Sequence, residues 1–181
     1  MKKTLLGLFL VLGAASFAAS KVELKGAWDT GGKYYFKDSS TKAKGNAGEV
    51  GAEYRYEVIP GLELGGGTSY QFHSKLKKDR GTLYNSVPVY ATAKYNFDTG
   101  TTVKPYVKGD LGYSINTNKA KDGLYYGVGG GINFNNVNVD VMYKENKGKY
   151  EYEGPLGVKS KYNADYKRVS LGVGYDFNLG N

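Results

Sequence analysis

The chain has 181 residues, a formal net charge of +8, 27 glycines, 18 tyrosines and 4 prolines. This length suits a single domain, and the lack of cysteine excludes disulfides, thiolate catalysis and zinc–cysteine sites. No run of about 18 apolar residues follows residue 20, so no transmembrane helix is expected after that point. The glycine- and tyrosine-rich composition indicates twisted strands joined by tight turns rather than disorder.

The first residues have the pattern of a secretory signal peptide. Two lysines precede an apolar stretch over residues 5–12, and small residues provide two cleavage positions, after Ala18 or after Ser20. We therefore predict a signal peptide over residues 1–20 and a mature domain over residues 21–181. The mature domain has 23 basic and 17 acidic side chains, a net charge of +6.

Apolar and polar residues alternate along the mature chain, most clearly over residues 48–58. The even positions from 50 to 58 are apolar or aromatic, while Glu49, Glu53, Arg55 and Glu57 occupy odd positions. Successive side chains of a strand point to opposite faces, so one face is apolar and the other charged. The same pattern predicts eight strands, at roughly 22–36, 47–58, 62–74, 86–97, 103–115, 124–134, 137–144 and 166–177.

The predicted connections alternate in length. Those near residues 60, 99 and 135 are short, whereas those over 37–46, 75–85, 116–123 and 145–165 are longer and polar. Short periplasmic turns, long external loops and a secretory signal are together typical of bacterial outer-membrane barrels. We predict an all-β protein, one eight-stranded antiparallel up-and-down transmembrane β-barrel in a Gram-negative outer membrane, with both mature termini periplasmic.

The charged face of these strands is predicted to line the lumen. In the first strand, the alternation places Lys33 inside and Tyr34 on the lipid face. Over all strands the inward face holds nine acids and eight bases. Eight strands leave room for side chains only, and buried charges must pair, which favours a plugged interior over a selective pore. The predicted network contains Glu49, Glu53, Arg55, Glu57, Glu63, Lys94, Lys104, Lys108, Asp110, Asp140, Lys144, Arg168 and Asp176.

Glycines recur on the predicted inward face of the sixth strand, at Gly127, Gly129 and Gly131. They either leave room for long side chains that reach across the lumen or relieve bending of a tight barrel wall. The sequence favours neither explanation.

Two further groups of residues are predicted on the outside of the barrel. Basic side chains of the external loops are expected to attract anions such as lipopolysaccharide phosphates or acidic glycans, or to be ordinary solvated loop residues. They are Lys42, Lys44, Lys75, Lys77, Lys78, Arg80, Lys119, Lys121, Lys147, Lys149, Lys159 and Lys161. The predicted lipid-facing aromatics are Trp28, Tyr54, Tyr56, Tyr70, Phe72, Tyr95, Phe97, Tyr113, Tyr126, Phe134, Tyr143, Tyr175 and Phe177.

The chain resembles the small eight-stranded outer-membrane barrels that include OmpX, the OmpA transmembrane domain and the opacity-like proteins. The resemblance rests on residues 87–90, 94–97, 104–107, 109–113 and 173–177, and it covers essentially the whole mature chain. Members of such families act as membrane stabilisers, adhesins, narrow pores or, rarely, lipid-modifying enzymes. The resemblance therefore implies the fold and leaves the function open.

The resemblance also implies that barrel-assembly machinery recognises the last strand. Such proteins usually end on an aromatic residue, whereas here residues 178–181 follow Phe177. Either Tyr175 and Phe177 still serve as the signal, or recognition tolerates the overhang.

His73 is the only histidine, and we predict no enzyme activity around it. The adjacent Ser74 would point to the opposite face of the strand, a poor arrangement for a base and its nucleophile. Lipid A deacylase barrels resemble this chain in size and use a His, Ser and Glu set, but the His73-Ser74 spacing does not match theirs. We expect His73 to be a polar residue at a strand's outer rim.

Three functions follow as hypotheses. The first is a plugged barrel with basic external loops that acts in membrane integrity or in surface interaction and adhesion, with lipopolysaccharide or a host or cell-surface anion as partner. The second is a narrow porin-like channel for ions or small solutes. The third is a soluble periplasmic barrel with its charged face outside and an apolar ligand inside. No cofactor, metal or nucleic-acid partner is expected.

Overall fold

The structure is a computed structural model that describes residues 20–36, 40–43, 46–75, 84–117, 120–153 and 159–180. The predicted signal peptide lies outside these residues except for Ser20, so its cleavage position stays a prediction. The described strands are β1 (Ser20–Tyr35), β2 (Ser40–Lys42), β3 (Gly48–Ile59), β4 (Leu62–Phe72), β5 (Ser86–Asn96), β6 (Val103–Asn116), β7 (Ala120–Lys121), β8 (Gly123–Phe134), β9 (Val137–Asn146), β10 (Lys149–Glu153), β11 (Lys159–Asn163) and β12 (Asp165–Asn178).

Eight of these strands close into a barrel. Their order is β1, β3, β4, β5, β6, β8, β9, β12, and β12 pairs back onto β1. Every neighbouring pair is antiparallel and follows chain order, as in an up-and-down barrel. The prediction of an all-β, eight-stranded antiparallel barrel is confirmed. Over the described ranges we find no helix with the length and apolar character needed to cross a membrane.

The two ends of the barrel differ. The short-turn end contains the tight connections at Pro60–Gly61 and Asn135–Asn136. The start of β1 and the end of β12 also lie there, and the Leu179 backbone N–H donates to the Ser20 carbonyl at 2.9 Å. The opposite end, the long-loop end, carries the longer connections. These positions agree with the loop lengths expected from the sequence.

The long-loop end has more structure than the sequence predicts. β2 pairs with the end of β1, and the β10–β11 hairpin pairs with β7 in a separate three-stranded sheet. The segment predicted as a polar loop over 145–165 therefore contains a hairpin. Its register places Glu151 opposite Lys161 and Glu153 opposite Lys159.

The barrel has a polar inside and an apolar outside. Arg55 and Arg168 are 0% and 1% exposed, whereas Val128 and Leu171 expose 59% and 53% of their surface. Apolar side chains are exposed in this way on all eight barrel strands, which is the arrangement of a sheet surrounded by lipid. The hypothesis of a soluble barrel with an apolar interior is therefore wrong.

One part of the predicted alternation is also wrong. The register of β1 against β12 shifts between Thr30 and Lys33, and Gly31 in this bulge has a φ of 64°. An extra residue in a strand reverses the faces of all residues after it. Lys33 therefore points outward and Tyr34, 0% exposed, points into the barrel, opposite to the faces predicted for them.

Candidate functional site

Arg55 on β3 lies at the centre of the charged interior, and its guanidinium contacts four carboxylates from four strands. Nη1 donates to Glu53 Oε2 at 2.7 Å and to Glu23 on β1, Nε donates to Glu63 Oε2 on β4 at 2.8 Å, and Nη2 donates to Asp176 Oδ1 on β12 at 2.7 Å. The planar fork of an arginine can serve several carboxylates at once because it carries five N–H donors. Arg55 thus ties together strands on both sides of the β1–β12 closure.

Glu53 extends the network toward the middle of the lumen. Its Oε1 accepts from Lys25 Nζ at 2.6 Å, from Lys108 Nζ at 2.5 Å and from the Tyr90 hydroxyl at 2.8 Å. A carboxylate buried at this depth is stable only when several donors compensate its lost hydration. The two lysines supply that compensation from β1 and β6.

Glu49 forms the next layer toward the long-loop end. Its Oε1 lies 2.5 Å from Lys144 Nζ and 3.8 Å from Lys25 Nζ, and its Oε2 accepts from Gln71 at 2.8 Å. Arg168 Nη2 lies 3.7 Å from the same carboxylate. Lys25 therefore links the Glu53 and Glu49 layers.

Arg168 on β12 completes the network at the long-loop end. Its Nε lies 2.9 Å from Asp29 Oδ2, and its Nη1 donates to Asn146 Oδ1 at 2.5 Å. Asp29 also accepts from the Ser170 hydroxyl at 2.5 Å. Ion pairs and hydrogen bonds thus follow one another from Glu63 near the short turns to Asp29 near the long loops.

Most residues of the predicted network point into the lumen and are buried. They are Glu49, Glu53, Arg55, Glu63, Lys94, Lys108, Asp110, Lys144, Arg168 and Asp176. Asp140 is half-buried and accepts from the Tyr106 hydroxyl at 3.1 Å. Lys94 binds no carboxylate among the described residues; it donates to Asn138 at 2.7 Å and lies 4.0 Å from the centre of the Tyr106 ring.

Glu57 and Lys104 are not part of the buried network. Both are exposed at the short-turn end. The register of β3 against β4 shifts between Glu57 and Ile59, and Lys104 is only the second residue of β6. The Glu57 carboxylate accepts from the Gly61 backbone at 2.7 Å, so it supports the turn. The prediction that Glu57 and Lys104 belong to the buried network is therefore wrong.

Uncharged polar residues of the same inward face were missing from the predicted set. Gln71, Tyr90, Asn138 and Asn146 fill the space between the charged layers and satisfy them. In each strand these residues alternate in step with the charged residues, so the sequence alternation already placed them on the inward face.

A cluster of aromatic rings covers the network at the long-loop end. The Tyr34 and Tyr166 rings lie 4.7 Å apart, His73 stacks on Tyr166 at 4.2 Å, and Tyr84 meets His73 edge-on at 5.0 Å. The Tyr34 hydroxyl donates to the Ser74 carbonyl at 2.9 Å, which fixes the chain after β4 over the barrel mouth. We call these five residues the aromatic cap.

His73 lies at the rim of the barrel just after β4, as part of the aromatic cap. β4 ends at Phe72, so the strict alternation stops there and both His73 and Ser74 are buried. Burial, together with the nearby Arg168, holds the pKa of His73 well below its usual range. The imidazole is therefore neutral at pH 7.

The short-turn end, in contrast, opens into a polar vestibule with a volume of about 430 Å³. Exposed Lys104 lines it, together with Asn133, Glu63 and Asp176. Since both of these carboxylates bind Arg55, the Arg55 cluster forms the floor of the vestibule.

Close packing of neighbouring strands explains two of the β8 glycines. A Cβ on Gly129 or Gly131 would overlap the backbone oxygen of the neighbouring β9 strand, at Val141 and Val139. A Cβ on Gly127 would meet Lys144 at 3.4 Å, an ordinary contact distance, so the packing around this lysine does not demand a glycine there.

The predicted outer residues are distributed between the two ends. The thirteen aromatics all point outward: Tyr54, Tyr56, Tyr95, Phe97, Phe134, Tyr175 and Phe177 toward the short turns, and Trp28, Tyr70, Phe72, Tyr113, Tyr126 and Tyr143 toward the long loops. Exposed basic residues at the long-loop end are Lys42, Lys75, Lys121, Lys147 and Lys149. Lys159 and Lys161 belong to β11, and Lys44, Lys77, Lys78, Arg80 and Lys119 lie outside the described residues.

A closed barrel with a polar lumen, an apolar exterior and aromatic residues near both rims defines a bacterial outer-membrane β-barrel. The chain belongs to the family described as outer membrane protein beta-barrel domain, whose sequence profile matches residues 6–177.

The chain is also similar to individual proteins and solved structures. The chain is 25% identical to the uncharacterized protein PM1543 of Pasteurella multocida (strain Pm70) in an alignment 237 residues long, gaps included, which covers 98% of each protein. Neisserial surface protein A has a similar structure, with a TM-score of 0.54 and 22% identity over 87% of this chain and 97% of that one. The outer membrane enzyme PagL has a TM-score of 0.55 and 16% identity over 84% and 98%. At these identities the solved structures show a common fold alone.

Proposed function

We propose that this protein is a non-conducting outer-membrane barrel that acts in membrane integrity or surface interaction, with its basic long-loop end as the contact surface. The observation that carries the proposal is the Arg55 cluster, in which one guanidinium binds four carboxylates across the lumen. A water-filled pore needs mobile ions and hydrated walls, whereas these side chains are buried and hydrogen-bonded to one another.

The test is the single-channel conductance of the refolded barrel in a planar bilayer, with insertion verified by flotation of the same protein in liposomes. We expect no current steps above the leak of the lipid. Reproducible, salt-dependent steps would contradict the proposal and identify a pore.

A narrow porin-like channel is the second candidate, and the vestibule at the short-turn end favours it. In that case ions would pass Lys104, which is exposed in the vestibule wall. Lys104→Glu should then change the ion selectivity of any observed current, because the charge at a pore mouth selects ions. If current appears and Lys104→Glu leaves its selectivity unchanged, conduction does not pass through the vestibule.

We also propose that the long-loop end faces the cell exterior and that both termini are periplasmic. An epitope tag inserted after Asp122, between the described strands β7 and β8, should bind antibody on intact cells. The same tag after Asn181 should be reached only after the outer membrane is permeabilised. The reverse pattern would contradict this orientation.

The absence of catalysis remains an expectation. PagL is an outer membrane enzyme of similar fold, but a shared fold does not carry an active site. The His73 and Ser74 pair supports a structural role, since both residues are held in the aromatic cap.

A further inference from the structure

Three lysines form a row across neighbouring strands on the outer surface of the barrel. Lys33 on β1 lies directly opposite Lys42 on β2 and opposite Lys167 on β12. Directly opposite residues share a face, and like charges placed so are destabilising unless a counter-ion lies between them. The row exists because the bulge before Lys33 reverses the faces of β1.

Two carboxylates lie near Lys167 in this row. Glu145 on β9 is opposite Lys167, its Oε2 is 3.2 Å from Lys167 Nζ, and it also accepts from the Tyr126 hydroxyl. Asp165 lies on β12 two residues before Lys167, opposite Tyr35, and its carboxylate bonds to the Gly148 backbone. Among the residues that the structure describes, neither Lys33 nor Lys42 has a carboxylate partner.

The surroundings of the row have the shape and chemistry of a small binding site. A cavity of about 140 Å³ opens beside it, lined by Gly31, Lys33, Tyr35, Tyr143, Lys167 and Arg168. The Lys167 ammonium lies 4.7 Å from the centre of the Tyr35 ring. Two lysines and two tyrosines that line one cavity bring together the kinds of donor that bind the oxygens of a phosphate.

The row lies at the height of lipid headgroups. Lys167 lies four residues before Leu171, which is near the middle of β12. At about 3.4 Å per residue and a strand tilt of about 40°, the two residues are separated by roughly 10 Å along the barrel axis. Half of an apolar band about 25 Å tall is roughly 12 Å, so the lysines lie at its border. Outward-facing Tyr126 lies at the level of Lys167 and Tyr143 two residues away, as expected for an interface.

We infer that the Lys33–Lys167 pair, extended by Lys42, binds the phosphate of a lipid headgroup in the leaflet around the long-loop end. The orientation proposed above makes this leaflet the outer one, and the ligand is then the phosphorylated lipid A part of lipopolysaccharide. This identification of the lipid rests on that orientation. The site itself depends only on the outward-facing row.

The test is binding of lipid A to the refolded barrel in phosphatidylcholine nanodiscs, counted by native mass spectrometry. Each lysine near an anionic surface contributes about 1 kcal/mol, roughly fivefold in affinity, so Lys33→Gln with Lys167→Gln should weaken binding about 25-fold. Arginine at both positions should retain it. Lys147→Gln with Lys149→Gln removes the same charge from exposed residues of the same end. The loss of binding in this variant measures the general attraction of the loops, and it should be several-fold smaller than the loss in the Lys33 and Lys167 variant.

Chemically altered lipids separate this site from general attraction to the loops. Lipid A stripped of its phosphates should bind the native barrel as weakly as lipid A binds the double glutamine variant. Equal binding of the stripped lipid, or equal losses in both double variants, would overturn the inference. Displacement of lipid A by an equimolar amount of inorganic phosphate would also overturn it, since the site would then recognise free phosphate. None of these variants changes the Arg55 cluster. The lipid-binding experiment and the conductance experiment therefore test their two proposals independently.

Discussion

Arg55→Ala is expected to lower the free energy of unfolding by about 3–5 kcal/mol, the usual cost of removing one member of a buried charge network. The substitution leaves Glu23, Glu53, Glu63 and Asp176 facing one another without the guanidinium that they share. Urea unfolding in detergent micelles, followed by the fluorescence of the single tryptophan, Trp28, gives the measurement.

Three variants make this result specific. Arg55→Lys keeps the charge and loses the planar fork, so it should fall between the native barrel and the alanine variant. Adding Glu23→Gln to Arg55→Ala should recover part of the loss, because Arg55 is the only ion-pair partner of Glu23 in the described part of the chain. Lys104→Ala removes an exposed lysine and should change stability by less than about 0.5 kcal/mol. An unchanged unfolding midpoint in Arg55→Ala would refute the central role of this residue.

The alternation of residue types was sufficient to predict the barrel and the faces of its strands. Glu49, Glu53 and Arg55 lie on one face of a single strand. In a barrel surrounded by lipid, such a charged face lines the lumen. The prediction was wrong at Lys33 and Tyr34, because a bulge adds a residue that periodicity cannot detect. The two glycines before Lys33 were the only local hint of it.

The partners within the lumen could not be read from the sequence. Lys144 and Glu49 are 95 positions apart and belong to strands that are not neighbours in the sheet. Their 2.5 Å contact depends on barrel closure and on the lengths of side chains that meet across the axis. The aromatic cap was missed for a different reason: His73 and Tyr84 flank a connection outside the strands, where side-chain alternation no longer predicts burial.

Leu171→Arg is the second change for which we expect a large effect. Leu171 lies near the middle of β12, points outward and is 53% exposed, next to Trp28 on β1 and Val141 on β9. If this face contacts lipid, an arginine at the middle of the apolar band should cost about 2–4 kcal/mol. Urea unfolding from phosphatidylcholine vesicles measures the difference.

The control is the same substitution near the edge of the band. Val103 is the first residue of β6, at the short-turn end, and it also points outward. Val103→Arg should cost only about 0–1 kcal/mol, because its charge reaches the headgroups and water. A face exposed to water would instead accept arginine at both positions with equal and small effects. A large cost at Leu171 and a small one at Val103 therefore locate the apolar band on the strands, and with it the lysine row at its border.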